Sequence, residues 1–307
     1  MDVFNALAPV FFIIGLGAFL RHSDFMPAPI VELVTRLTFW VALPALLFYE
    51  SAQAKIGMLN RPGIFIVLMA GMFAGMIAGF IAARIMHLPP AQSRTLVQAS
   101  FRGNIAFIGL PVVAYSLGET NRDMITLSVL MVSVLLPVNN ITAVLVLLGG
   151  QPKLRAGGAL WAAMEWLFVN PLIISCLAGL IVAALGIQLP VALLRTLKPL
   201  GDMALPLALL SIGSMLDLRE VKGIWVPIMT AGLIKVAVSP YAGYLTAGMI
   251  GLSGEELRVV LIMLACPTAT ASFIMACQMG GDSHMTAGSI VLSTILSFIS
   301  LFIIIWY

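Results

Sequence analysis

The sequence predicts an all-α integral membrane protein with ten membrane-spanning helices, arranged as two inverted five-helix repeats in which helices four and nine are broken. Three observations predict this fold. The chain is strongly apolar, it divides into ten long apolar segments, and its two halves share residues at a nearly constant offset.

The composition excludes a soluble protein. Of the 307 residues, 61% are hydrophobic and 9% are charged, with a mean hydropathy of +1.09. A soluble domain averages about 25% charged residues, and a membrane span needs about 20 mostly apolar residues. The predicted spans are 3–20, 31–50, 63–86, 95–117, 124–148, 164–186, 200–216, 223–250, 257–279 and 286–306. The loops between them are short, so we expect one membrane domain.

The two halves of the chain, residues 1–150 and 151–307, repeat each other. Matching residues lie 161 or 162 positions apart: Pro9 and Pro171, Ala42-Leu43-Pro44 and Ala204-Leu205-Pro206, Gly118 and Gly280, and Asp123-Met124 and His284-Met285. Because five spans is an odd number, the second copy must enter the membrane from the opposite side. Inverted repeats of this kind are typical of secondary transporters.

Spans four and nine each carry residues that interrupt a helix. In span four these are Arg102, Gly103 and Asn104, followed by Pro111; in span nine Pro267 precedes further polar residues. Proline removes a backbone donor and glycine weakens a helix, and non-helical backbone within a membrane survives only inside protein or beside a water-filled cavity. The two breaks predict a binding site near the membrane centre. Its candidate residues are Arg102, Gly103, Asn104, Pro111, Pro267, Thr268, Thr270 and Ser272.

Further polar residues fall within other spans. Lys235 lies near the middle of span eight, where a charged side chain is costly and indicates a function or a coupling role; the alternative is a structural contact with carbonyl groups at the broken helices. Asn139 and Asn140 follow Pro137 in span five, and they are candidates either for lining the site or for hydrogen bonding between helices. Gly71, Gly75 and Gly79 form a helix-packing stripe.

The charged residues favour an anionic substrate. All 13 acidic residues lie in predicted loops or near the ends of spans, whereas Arg102 and Lys235 lie inside spans. The sequence shows no paired buried aspartates, metal-binding histidine motif or serine with a base, so we expect no enzyme, no metal and no cofactor. Two broken helices in an inverted repeat favour alternating access over a channel. The sequence also has no basic patch of the kind that would bind nucleic acid.

Several loose motifs, taken in order along the chain, resemble the auxin efflux carrier family, which includes plant PIN proteins and bacterial malonate and malate permease-like carriers. The motifs are Asn104 with Gly109 and Pro111; Ala265-Cys266-Pro267 with Phe273 and Ala276; Lys235 with Pro240; and Asn170-Pro171. The resemblance covers essentially all ten predicted spans. The chain departs from the plant carriers in lacking a long loop between spans five and six, in having Arg102-Gly103 before Asn104, and in having no buried charge in span three.

The resemblance implies an elevator-type secondary transporter in the bacterial inner membrane, with both termini outside and a homodimeric assembly. Spans 1, 2, 6 and 7 would form the scaffold, and spans 3–5 and 8–10 would move. The substrate would be a small carboxylate, such as malonate, malate or an auxin-like acid, with Arg102 and Lys235 as two positive partners for a dicarboxylate. With this orientation, eight of the 16 lysines and arginines would face inside and six outside. This weak excess of positive charge inside agrees with both termini lying outside.

Two alternatives stay open. One is a sodium-coupled symporter of the bile-acid-transporter type that carries another solute, and the other is a cation/proton antiporter. Neither the coupling ion, Na⁺ or H⁺, nor the direction of transport follows from the sequence.

Overall fold

The structure, a computed structural model, describes residues 3–53, 61–117, 121–149, 169–216 and 224–306. Helices dominate these ranges. In the first half they are α1 (Val3–His22), α2 (Ala28–Ala52), α3 (Pro62–Ile85), α4 (Pro90–Phe101), α5 (Ile105–Ser116) and α6 (Arg122–Leu148). In the second half they are α7 (Pro171–Ala184), α8 (Val191–Asp202), α9 (Ala204–Met215), α10 (Trp225–Ile250), α11 (Gly254–Ala265), α12 (Ala271–Gln278) and α13 (Ser283–Trp306).

Five helices in the described part are long and apolar enough to cross a membrane: α2, α3, α10, α13 and the segment Asp123–Leu148 of α6. Shorter apolar helices are Leu7–His22, Ile105–Ser116 and Pro171–Ala184. Together they support an integral membrane protein. Gly118, one of the repeated residues, and the start of the predicted span 164–186 lie outside the described residues.

Three of these helices contain a wider, π-helical turn. The turns Thr38–Ala42, Ile105–Gly109 and Ile234–Val238 lie just before Pro44, Pro111 and Pro240, respectively. A proline ring clashes with the carbonyl of the preceding turn, and widening that turn is a known way for a helix to continue. The third turn carries Lys235, so its side chain projects from an irregular part of α10.

The described residues divide into two compact units, and the first comprises those within Met1–Pro62, Ala106–Val134 and Phe168–Leu216. Its helices pack through small residues. A Cβ atom added at Gly213 would collide with the Ile14 carbonyl, and one added at Gly179 would lie 2.7 Å from the Phe48 carbonyl oxygen. Close backbone contact of this kind is the usual packing mode of membrane helices. Glu50, buried in this unit, accepts a hydrogen bond from Thr126 (3.3 Å).

The second unit comprises the described residues within Gly63–Ile105, Leu135–Leu167 and Asp217–Tyr307. A buried apolar cluster in this unit joins α3, α4, α10 and α13; its members are Ala83, Leu96, Ala99, Ile228, Ala231 and Met285. The glycine stripe on α3 packs as predicted. A Cβ atom at Gly75 would lie 2.7 Å from the Ser100 carbonyl oxygen, and one at Gly71 would lie 2.7 Å from the Ser239 carbonyl oxygen. Large apolar side chains on α3, such as Phe73, Ile77 and Phe80, are exposed, as a lipid-facing surface requires.

Candidate functional site

The second unit contains two places where the chain leaves the helical conformation and pairs with itself. The first break, residues 102–104, separates α4 from α5, and the second break, residues 266–270, separates α11 from α12. Gly103 and Thr268 form an isolated antiparallel bridge. The backbone N–H of Asn104 donates to the Pro267 carbonyl (2.7 Å), and that of Ala269 donates to the Arg102 carbonyl (2.9 Å). The bridge therefore satisfies backbone groups that the broken helices leave without partners.

The bridge has two sides. Successive side chains along extended backbone point in opposite directions, and Arg102 has an extended conformation (φ −79°, ψ 95°). Arg102 and Asn104 therefore point to one side, here named the Arg102 face. A side chain at position 103 would point to the other side, where Lys235 lies; Gly103, Thr268 and Lys235 define the Lys235 face.

On the Lys235 face, the lysine side chain is bound to a helix end. Lys235 is 1% exposed, and its Nζ donates to the Leu264 carbonyl in the last turn of α11. Carbonyls in a last turn lack partners within the helix, and a positive charge stabilises the negative end of the helix dipole. A Cβ atom at position 103 would lie 3.1 Å from the Lys235 Cε and 3.3 Å from its Nζ, so glycine leaves room for the lysine.

Hydroxyl groups also bind carbonyls at the helix end beside the bridge. Thr268 Oγ1 donates to the Ala99 carbonyl (2.9 Å), and Ser239 Oγ donates to the Ser100 carbonyl (3.5 Å), so both bind the last turn of α4. The backbone N–H of Thr268 donates to Ser293 Oγ on α13 (2.9 Å). The two helix ends that meet at the bridge are therefore capped by side chains from elsewhere in the unit.

On the Arg102 face, the guanidinium has only neutral partners among the described residues. Arg102 is 4% exposed; its Nη1 donates to Ser272 Oγ (3.0 Å) and its Nη2 to Asn140 Oδ1 (2.7 Å). No carboxylate in the described ranges forms an ion pair with it. Burying a charge without a counter-charge is costly, and an anion placed on this face would compensate that charge.

Amide groups of Asn140 and of two other buried residues of this unit also lack partners among the described residues. Asn139 Oδ1 and Asn140 Nδ2 are buried and form no hydrogen bond within the part of the chain that the structure describes. The side chain of Asn104 makes no hydrogen bond with the described residues, although the residue is 5% exposed. Buried polar groups in proteins almost always have partners, so these amides are available for a polar ligand or for water.

The remaining predicted residues take different positions. Pro267 is buried and accepts the bridge hydrogen bond from Asn104. Thr270 is half-buried at the start of α12, where its side chain makes no capping hydrogen bond. Pro111 is buried within α5 and belongs to the first unit, whereas the other predicted site residues belong to the second.

The sequence did not indicate Ser239, Ser293 or Gln98 as candidates. The two serines bind the bridge region, and Gln98 is fully buried, with no described residue bonded to its Oε1. A signal for Ser293 exists in the sequence, since Ser289, Ser293 and Ser297 recur at the four-residue spacing that places them on one face of a helix. Within the described residues, no group of three or more His, Cys, Asp or Glu side chains is placed to hold a metal ion.

Comparisons with known proteins agree with a transport role. The model of the family described as "Membrane transport protein" matches residues 2–153 and 160–305. A protein named "Putative malonate transporter" from Rhizobium meliloti (strain 1021) is 25% identical over 299 residues, covering 96% of this chain and 92% of the relative. An uncharacterized transporter of Methanocaldococcus jannaschii is 22% identical over 298 residues, covering 94% and 93%. These matches indicate a transport protein and not an enzyme. With nearly its whole length matched, the chain belongs to the membrane transport protein family that contains the auxin efflux carriers.

Proposed function

We propose that this protein is a secondary transporter that moves a small organic anion, a carboxylate of about the size of malonate or malate, across the membrane. The observation that carries the proposal is Arg102, a buried guanidinium with two neutral partners and no carboxylate partner among the described residues. A substrate carboxylate would supply the missing charge, and hydrogen bonds between ions are the stronger kind. The name of the Rhizobium relative supports the same substrate class.

We propose that the substrate binds on the Arg102 face. Its carboxylate would contact Arg102 and the unpartnered amide of Asn104, with Asn140 and Ser272 holding the guanidinium in place. Thr270, at the start of α12, would complete the rim of this site. Gly103, Pro267 and Thr268 form the bridge and would fix its geometry.

We assign Lys235 a coupling role rather than direct contact with the substrate. Its Nζ is bound to the Leu264 carbonyl and lies on the other face of the bridge. It would transmit movement of the second break to α10, because it joins the two elements directly. Pro111 would act in the same indirect way, through the shape of α5.

The proposed mechanism is elevator-type alternating access. Ten spans would form two inverted repeats, residues 1–150 and 151–307, with spans 1, 2, 6 and 7 as a scaffold and spans 3–5 and 8–10 as the moving part. The sequence repeat and the paired breaks support this plan. We further propose a homodimer in the bacterial inner membrane, surrounded by lipid, with both termini outside.

The test is uptake by proteoliposomes that contain the purified protein. Labelled malonate, malate, succinate and indole-3-acetate are supplied with and without a sodium or pH gradient, to wild type, Arg102→Gln and Asn104→Ala. Arg84→Gln is the matched control, because Arg84 is an exposed arginine at the end of α3. We expect saturable uptake of a carboxylate that is lost in Arg102→Gln and kept in the control.

Two results would overturn the proposal. One is carboxylate uptake by Arg102→Gln at the wild-type rate. The other is sodium- or proton-driven movement of a neutral or cationic solute with no carboxylate uptake, which would favour a symporter for another solute or a cation/proton antiporter. The gradient that drives uptake identifies the coupling ion.

A further inference from the structure

The charge available to a ligand on the Arg102 face is a single positive charge. Lys235 lies on the other side of the bridge, and its Nζ is bound to the negative end of α11. The third titratable group at the bridge in the described part is Cys266, whose Sγ donates to the Ile262 carbonyl of its own helix (3.2 Å). Of the two buried cations at the bridge, Arg102 is therefore the one placed to contact a ligand on this face directly.

The orientation of the Asn140 amide is fixed by its neighbour. An arginine side chain only donates hydrogen bonds, so Asn140 must turn its Oδ1 towards the guanidinium. Its Nδ2 then points away and has no partner in the described ranges, although Asn140 is 2% exposed. An aspartate at this position would neutralise Arg102, whereas asparagine leaves the positive charge uncompensated.

The next residue along α6 has the same unmet requirement. Asn139 is 4% exposed, its Oδ1 is buried without a partner, and its side chain makes no hydrogen bond with the described residues. A buried polar atom left without a hydrogen bond is energetically costly. A polar group of a ligand would recover that cost at both asparagines.

The two amides are neutral, which limits what they can bind. A second ionised carboxylate placed against them would be buried without a counter-charge, at high cost. A hydroxyl or a protonated carboxyl both donates and accepts hydrogen bonds, and this matches the free N–H of Asn140 and the free oxygen of Asn139.

Resting on the proposed function, we propose that the substrate is bound as a monoanion, with one ionised carboxylate against Arg102 and one uncharged polar group, a hydroxyl or a protonated carboxyl, against Asn139 and Asn140. A dicarboxylate such as malonate would be selected in its singly protonated form. Asn139 and Asn140 would then determine which carboxylates are accepted.

The test compares malonate with malonamate, its monoamide. Malonamate carries one negative charge at every pH used, and its amide both donates and accepts hydrogen bonds, so it imitates singly protonated malonate. Dissociation constants are measured by calorimetry for the purified full-length protein in detergent, at several pH values on both sides of the second ionisation of malonate. Any effect of pH on the protein itself changes the affinities for the two ligands equally.

We expect the dissociation constant of malonamate to be independent of pH. That of malonate should rise about tenfold per pH unit above its second ionisation, because the fraction of monoanion falls by that factor. Affinity for malonate that stays constant or increases as the dianion forms, with malonamate binding more weakly, would overturn the inference.

A variant distinguishes this inference from the proposed function. Asn139→Leu keeps the approximate size of the side chain and removes its polar atoms, so it should weaken malonamate binding about tenfold, whereas binding of acetate, which has no second polar group, should change less than about twofold. Equal losses for the two ligands would contradict a role for Asn139 in recognising the second group. If no carboxylate binds to or is transported by wild type, the proposed function fails, and this inference fails with it.

Discussion

Arg102 and Lys235 are two buried cations beside the same backbone bridge, and their partners differ. Lys235 binds a backbone carbonyl at the end of α11, so its charge is used by the fold. Arg102 binds the side chains of Ser272 and Asn140, which are neutral, so its charge is held in position and left uncompensated. Both residues are buried, so burial does not separate the proposed ligand-binding cation from the one that stabilises the fold. Their hydrogen-bond partners do separate them.

The difference between the two cations predicts that the largest change in substrate affinity comes from replacing Arg102. In Arg102→Gln, the carboxylate loses about two charge-assisted hydrogen bonds of roughly 1.5–3 kcal/mol each, so we expect substrate affinity to fall about 100-fold or more. The melting temperature should stay the same or rise, because an uncompensated buried charge is removed. Uptake and thermal unfolding in detergent, measured on one preparation, check both parts. A marked loss of stability would show that the fold depends on this charge.

The opposite pattern is expected at Lys235. Lys235→Met fills similar space but leaves the Leu264 carbonyl without its partner, which should destabilise the protein by about 1–3 kcal/mol. The affinity of folded protein for malonate should change less than about threefold. Thermal unfolding and calorimetry measure the two quantities, with Lys198→Met, an exposed lysine paired with Asp202, as the control. A large loss of affinity at unchanged stability would place Lys235 in contact with the substrate.

The difference between the two cations is the part that the sequence could not predict. Gly103, Asn104, Pro111 and Pro267 indicate the positions of the breaks, because glycine and proline act on the local backbone. The side of the bridge to which each side chain points depends on how the first break pairs with the second. That register is set by distant residues, so the sequence could group Arg102 with Lys235 as partners of one dicarboxylate.

The sequence does not indicate the supporting hydroxyls, for a related reason. Serines within membrane helices usually bind carbonyls of their own helix, and Ser293 also does so, with a contact to Ile290. Its second contact, from the backbone N–H of Thr268, exists because α13 packs beside the second break. Only the tertiary structure distinguishes it from the other buried serines of α13, Ser289 and Ser297.

A smaller effect on stability is expected at Ser293. Ser293→Ala leaves the N–H of Thr268 unpartnered and should destabilise the protein by about 1–2 kcal/mol. Ser289→Ala is a matched control, because Ser289 is an equally buried serine on α13 that donates to the Met285 carbonyl of its own helix. The difference in melting temperature between the two variants isolates the contact with the bridge, and equal melting temperatures would mean that this contact contributes nothing.

The smallest effect is expected at Ser239, which binds the Ser100 carbonyl at 3.5 Å, the long end of the range for a hydrogen bond. Ser239→Ala should therefore lower the free energy of unfolding by less than about 0.5 kcal/mol. Thr268→Val removes a 2.9 Å hydrogen bond to the adjacent Ala99 carbonyl, so it should lower the free energy of unfolding by about 1 kcal/mol. Both variants act on the end of α4 and leave Arg102 in place, so neither should change the pH dependence of malonate binding. If Ser239→Ala shifted that dependence, the Lys235 face would contribute to substrate recognition, and the separation of the two faces would be wrong.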